Sequence, residues 1–131
     1  MKLRIRGNSV RVRLTKSEVS RLGDGNAVEQ TTQFSKGCCL KSSVMPSTGV
    51  TTPLVEFGDA GLTVFLPEQS VRRWARSDDV SIEAHQRLEP GKELQILVEK
   101  DFECIHSRME GNTDAFPNPR EQDAVAGQLR G

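Results

Sequence analysis

The sequence has no tyrosine, one tryptophan and five phenylalanines in 131 residues, so Val, Leu and Ile must supply most of the core. It also lacks net charge: 18 Lys and Arg stand against 18 Asp and Glu, and the total singles out no partner. No apolar run approaches the roughly 20 residues of a spanning helix, and the opening MKLRIRG leads into alternating charges where an export leader would be apolar. Neither a membrane span nor a secretion signal is expected. Three cysteines are odd in number and read as thiols of a cytoplasmic protein, not as a disulfide framework. Gly-rich phosphate loops, Cys-x-x-Cys and a helical His pair are all missing, which removes the commonest signatures of nucleotide, redox and zinc chemistry. One domain is expected at this length.

What is present is unevenly distributed. Residues 1–41 hold nine basic against three acidic residues, a net +6, and residues 42–131 carry the compensating −6. Such asymmetry fits an electropositive face for an anionic partner, two faces that attract each other, or a solvated surface of mixed charge.

Lys2 to Arg6 and Ser9 to Leu14 alternate basic with apolar residues, the period of half-buried strands, and Gly7-Asn8 between them is a two-residue hairpin signal. Lys2, Arg4, Arg6, Arg11 and Arg13 then lie on the outward side of the sheet, opposite Leu3, Ile5, Val10, Val12 and Leu14. Thr15 followed by Glu18 predicts a capping box, with Val19 and Leu22 on a short helix that stops at Gly23. Ala27 to Phe34 reads as a strand, Lys36-Gly37 as a turn and Cys39 to Val44 as a weaker strand.

After a Pro/Ser/Thr/Gly connection over Met45 to Thr52 the same order of elements returns. Leu54–Phe57, Leu62–Leu66, Val80–Ala84 and Leu94–Val98 read as strands, and Pro67 opens a helix marked by Val71 and Trp74. A shift of 52 aligns Leu3 with Val55, Ile5 with Phe57, Val10 with Leu62, Val12 with Val64, Leu14 with Leu66, Val19 with Val71, Leu22 with Trp74 and Val28 with Val80. The fold class that follows is α+β, mainly β: a small β-barrel from two strand-strand-helix-strand-strand units, about 1–45 and 53–100, in one β-rich domain over 1–104. Residues 105–131 are polar and read as a C-terminal tail, with Phe102, Ile105 and Phe116 as residues able to dock part of it.

The run Arg6-Gly7-Asn8-Ser9-Val10-Arg11-Val12-Arg13-Leu14, followed by Val19, Leu22-Gly23-Asp24 and Val28-Glu29, resembles the N-terminal domain of MazE-type antitoxins in the AbrB-like swapped-hairpin family. Leu62-Thr63-Val64-Phe65-Leu66-Pro67-Glu68 with Asp78-Asp79-Val80 resembles the same pattern 52 residues on. The resemblance implies a fused pseudo-dimer with interleaved hairpins, DNA contact by basic strand residues, with Arg13 on the motif's Arg, and a C-terminal segment that captures a partner protein. Phe65 stands at the position matching Arg13, so one chain offers no symmetric, palindrome-reading pair of faces. The chain as a whole also resembles a group of short bacterial proteins of unassigned function.

Three classes of function follow. The first is a non-enzymatic interaction module, antitoxin-like or regulator-like, that binds a protein partner or a second copy of itself. The second is nucleic-acid binding by Lys2, Arg4, Arg6, Arg11 and Arg13, which can neutralise phosphates at strand spacing. The third is a metal or catalytic site around Asp101–His106, for which Cys38, Cys39, Cys104 and His106 would have to converge. The spacing disfavours it, because adjacent Cys38 and Cys39 on a strand point to opposite faces, one expected in the core and one outside. His85 has no carboxylate at a motif spacing. The charge-dense run Val98 to Cys104 is expected to pair with Arg4 or Arg6. No cofactor, metal or catalytic residue is assigned.

Overall fold

A computed structural model of the chain describes residues 1–102 and Phe116. Its elements run β1 (Lys2–Arg6), β2 (Ser9–Leu14), α1 (Lys16–Gly23), β3 (Val28–Ser35), β4 (Cys38–Ser47), β5 (Leu54–Gly58), β6 (Gly61–Pro67), α2 (Glu68–Arg76), β7 (Ser81–Glu89) and β8 (Lys92–Lys100). The α+β, mainly β reading holds, and both halves have the expected strand-strand-helix-strand-strand order.

Local chemistry accounts for the elements. Arg6 pairs with Ser9 across a tight turn in which Gly7 takes φ 52°, a left-handed conformation open to glycine. The Thr15 hydroxyl accepts from the Glu18 N–H, and the Glu18 carboxylate accepts from the Thr15 N–H, closing the capping box at the start of α1. The Glu18 carboxylate also receives the N-terminal ammonium at 2.7 and 2.8 Å. Burial pushes this carboxyl up, but bonds from the ammonium and Thr15, with the ammonium's charge, outweigh that and hold it below its ordinary range. Pro67 occupies the N-cap position of α2 without a side-chain capping bond, and is not the expected first helical residue.

The pairing exchanges hairpins between the halves. One sheet has the order β1-β2-β8-β7 and the other β3-β4-β6-β5, so each takes one hairpin from each half. The joins are parallel: Val12 lies opposite Val98 in the first sheet, and Val44 opposite Val64 in the second. A closed barrel is not formed, since the eight strands make two separate four-stranded sheets. At the seam between edge strands β7 and β5 a side chain stands in for a ladder. The Val55 N–H donates to Gln86 Oε1 at 2.8 Å, and Gln86 Nε2 donates back to the Val55 carbonyl at 3.3 Å.

The core lies where the inner faces meet the helices. Val10/Leu62, Val12/Val64, Leu14/Leu66, Val19/Val71 and Leu22/Trp74 are buried in both halves. Leu3 and Val55 pack against this cluster, while Ile5 and Phe57, near the hairpin tips, are exposed. The eighth expected pair fails. Val80 is exposed and precedes β7, and the residue matching buried Val28 is Ile82, because the offset grows to 54 after the helices. Val28 opposite Val44 and Ile82 opposite Val98 share that offset.

Cys38 and Cys39 are both exposed, contrary to the expectation that one is core. They sit at the tip of the β3–β4 hairpin, beyond Ser42, where the pairing of β4 with β6 begins. Phe102 and Phe116 are exposed as well; Ile105 and the rest of the tail, and with them the expected docking, lie outside the described residues.

The helices cross at Gly23 and Ala75, which are equivalent at the 52-residue offset. A Cβ on Gly23 would stand 2.9 Å from the Ala75 Cβ. Gly23→Ala is expected to destabilise the fold by about 1–2 kcal/mol, overpacking outweighing the better helix propensity of alanine. Adding Ala75→Gly should return part of the loss in a denaturation midpoint, and additive effects would contradict this contact.

Candidate interaction face

The outer face of the first sheet gathers all five predicted basic residues. Alternation places Lys2, Arg4 and Arg6 of β1 beside Arg11 and Arg13 of β2, with Lys2 opposite Arg13 and Arg4 opposite Arg11. The parallel partner β8 then adds acids to the same face. Glu99 lies opposite Arg13, and Glu99 Oε1 accepts from Arg13 Nε at 2.6 Å and from Arg11 Nε at 2.7 Å. Lys2 Nζ stands 3.2 Å from the Asp101 carboxylate.

Glu99 is the one buried carboxylate among the described residues. Burial pushes its carboxyl up, but hydrogen bonds from Arg11 and Arg13, with their charges, prevail and hold it below the ordinary carboxylate range. The expected ion pairing of the Val98–Cys104 run therefore exists with other partners: Arg11, Arg13 and Lys2, not Arg4 or Arg6. Those two side chains remain exposed on edge strand β1, with no ion pair among the described residues. The five cations thus divide into three that are paired and two that are available.

The other sheet is its chemical opposite. At the sites equivalent to Lys2, Arg4, Arg11, Arg13 and Glu99 it carries Leu54, Glu56, Thr63, Phe65 and Met45. Eight Lys and Arg against four Glu give the strands of the first sheet +4. One Lys against two Glu gives those of the second −1. The hairpin exchange concentrates the charged strands in one sheet.

Among the described residues, the remaining candidates do not assemble with this face into a reactive site. His85 Nδ1 lies 3.5 Å from a Glu93 carboxylate oxygen, a carboxylate neighbour that its motif spacing did not reveal, and both side chains are about half exposed. A groove of about 440 Å³ is lined by Leu14, Val19, Ala75, Lys100 and Phe102 among others. Lys100 Nζ donates to the Ser77 carbonyl at 2.7 Å and lies 5.6 Å from the Trp74 ring centre, a structural use of its charge. No trio of His, Cys, Asp and Glu able to hold a metal occurs among the described residues, and Cys104 and His106 lie outside them. No helix of the described residues is long and apolar enough to cross a membrane.

A family model matches residues 1–120 under the description "Family of unknown function (DUF7009)". The chain belongs to this family. The match extends past Phe102, so the family pattern takes in part of the segment that follows the two sheets as well as the sheets themselves. No curated protein and no solved structure matches the chain. The family description carries no activity, and the antitoxin resemblance gains nothing from these comparisons.

Two residues, one on this face and one at the β5–β7 seam, were not singled out from the sequence. Glu99 was legible only as part of a charge-dense run, because its role depends on the β2–β8 register. Gln86 had a clearer mark: it is a polar residue that follows Ile82 and Ala84 on the half-buried side of an alternating strand.

Proposed function

We propose that this chain is a non-enzymatic interaction module that binds an acidic protein partner on the β1 side of its first sheet. The observation that carries the reading is the division of the basic set: Glu99 and Asp101 form ion pairs with Arg11, Arg13 and Lys2, while Arg4 and Arg6 are exposed without an ion pair among the described residues. An antitoxin-like or regulator-like role is the form of this reading that the sequence resemblance supplies, and the exchange of hairpins between the halves supports the fold part of that resemblance.

Nucleic-acid binding by Lys2, Arg4, Arg6, Arg11 and Arg13 is the second reading, favoured by the +4 of the first sheet. Internal pairing counts against it. Two available cations neutralise about two phosphates, far fewer than the roughly 6–10 contacts behind strong, salt-sensitive duplex binding.

Capture from a bacterial lysate by immobilised wild type and by Arg4→Glu/Arg6→Glu, with and without nuclease, separates the readings. A protein retained after nuclease by wild type and lost from the folded variant is the expected result. Retention by both forms would contradict the assignment of the face, and capture abolished by nuclease would transfer it to nucleic acid.

A further inference from the structure

The two halves are alike in register but not at their seams. At the β5–β7 seam the backbone of Val55 is clamped by the Gln86 amide. The equivalent of Val55 is Leu3, and the equivalent of Gln86 at the 54-residue offset is Thr32; Thr32 lies opposite Leu40 as Gln86 lies opposite Leu94. Threonine is too short to repeat the clamp, and no side-chain bond from Thr32 occurs among the described residues.

The consequence is an open strand edge. Arg6 and Ser9 close a two-residue hairpin, so the alternation of an antiparallel ladder turns the N–H and C=O of Leu3 and Ile5 away from β2. These groups face outward on β1, an edge strand of its sheet. Ile5 on β1 and Phe34 on β3, the edge strand of the other sheet, are both exposed. Lys2, Arg4 and Arg6 occupy the alternate positions of the same edge. We infer that the β1 edge is a strand-addition site for an extended acidic peptide of a partner protein. Its backbone pairs with Leu3 and Ile5, its apolar side chains meet Ile5 and Phe34, and its carboxylates face Arg4 and Arg6.

This inference rests on the binding reading above and names the manner of binding. Charge complementarity selects the occupant: on this edge, the described cations without an ion pair flank the free backbone groups. The Gln86 clamp shows that the equivalent edge of β5 accepts amide N–H and C=O partners in the same geometry.

The test uses the full chain and short peptides with Glu or Asp alternating with Val, Ile or Leu, each compared with a version carrying one central proline at equal charge. Affinity is followed by fluorescence polarisation, and Leu3 and Ile5 amide exchange by NMR. Binding by alternating peptides, about tenfold weaker with the proline, and slowed exchange at Leu3 and Ile5 are expected. Thr32→Gln, which rebuilds the clamp at the open edge, should weaken binding by about tenfold while the unfolding midpoint stays level or rises.

Binding indifferent to proline and to Thr32→Gln, yet lost in Arg4→Glu/Arg6→Glu, would overturn strand addition and leave the basic face standing. Binding indifferent to the Arg4→Glu/Arg6→Glu pair, or absent for every acidic peptide, would overturn both. Leu3 already slow to exchange in the free chain would show the edge occupied and overturn the inference as well.

Discussion

Replacing Gly61 by alanine is expected to cost about 3 kcal/mol or more of folding stability, a large share of the total for a domain of this size. Two causes act together. The residue has φ 104°, a conformation that side chains rarely adopt, and a Cβ there would run into the backbone carbonyl of Lys41. That carbonyl belongs to β4 of the first half and Gly61 opens β6 of the second, so the collision falls on the join between the halves. Gly7→Ala provides the control. Gly7 also has positive φ but open space around it, and its replacement should cost only the backbone strain of about 1–2 kcal/mol. Chemical denaturation followed by Trp74 fluorescence measures both, since this single tryptophan is buried. Equal costs at the two sites would remove the close approach from the account.

Glu99→Ala is expected to cost about 2–3 kcal/mol, because the two guanidinium groups of Arg11 and Arg13, neighbours on one face of β2, would lose their shared acceptor. The figure lies below that for a fully buried pair, since both arginine side chains are about one third exposed. Its pH signature is specific. The folded carboxyl is held below the ordinary range, so its stabilisation is fully present above the unfolded value near ~4.3 and is lost as pH falls through the folded value. Wild type should therefore lose stability in acid more steeply than Glu99→Gln, with the two curves converging at the lowest pH. Parallel acid limbs would show that Glu99 does not bridge the arginines in solution.

Local structure was largely legible. The hairpin at Gly7-Asn8, the capping box at Thr15 and Glu18, and the alternating strands each depend on residues a few positions apart, where period and turn chemistry leave their mark. The offset of 52 held through α1 and into α2, then became 54 because α2 is one residue longer than α1 and β7 begins one residue before Ile82 whereas β3 begins at Val28, which is why Val80 was mistaken for the mate of Val28.

Parallel pairing over long separations was less legible. That Val12 lies beside Val98, and Val44 beside Val64, leaves no periodic trace, and only a family resemblance suggested the interleaving. The outward arginines could be read from alternation alone. Their pairing could not, since Arg11 and Arg13 meet Glu99 only through the register of β2 on β8. The cysteine pair failed for a different reason: alternation separates two side chains but does not say whether a hairpin extends past the neighbouring strand, as β3–β4 extends past β6 at Cys38 and Cys39.

Everything proposed for the charged face depends on the hairpin exchange that brings β8 beside β2. Inter-strand backbone contacts measured by NMR in the full chain test this most directly. Nuclear Overhauser contacts joining Val10 to Ile96 and Val12 to Val98, with a second set joining Val44 to Val64, are the predicted result. Contacts joining β2 to β4 within the first half would mean that each half closes on itself, and would contradict the exchange and the Glu99 bridge together.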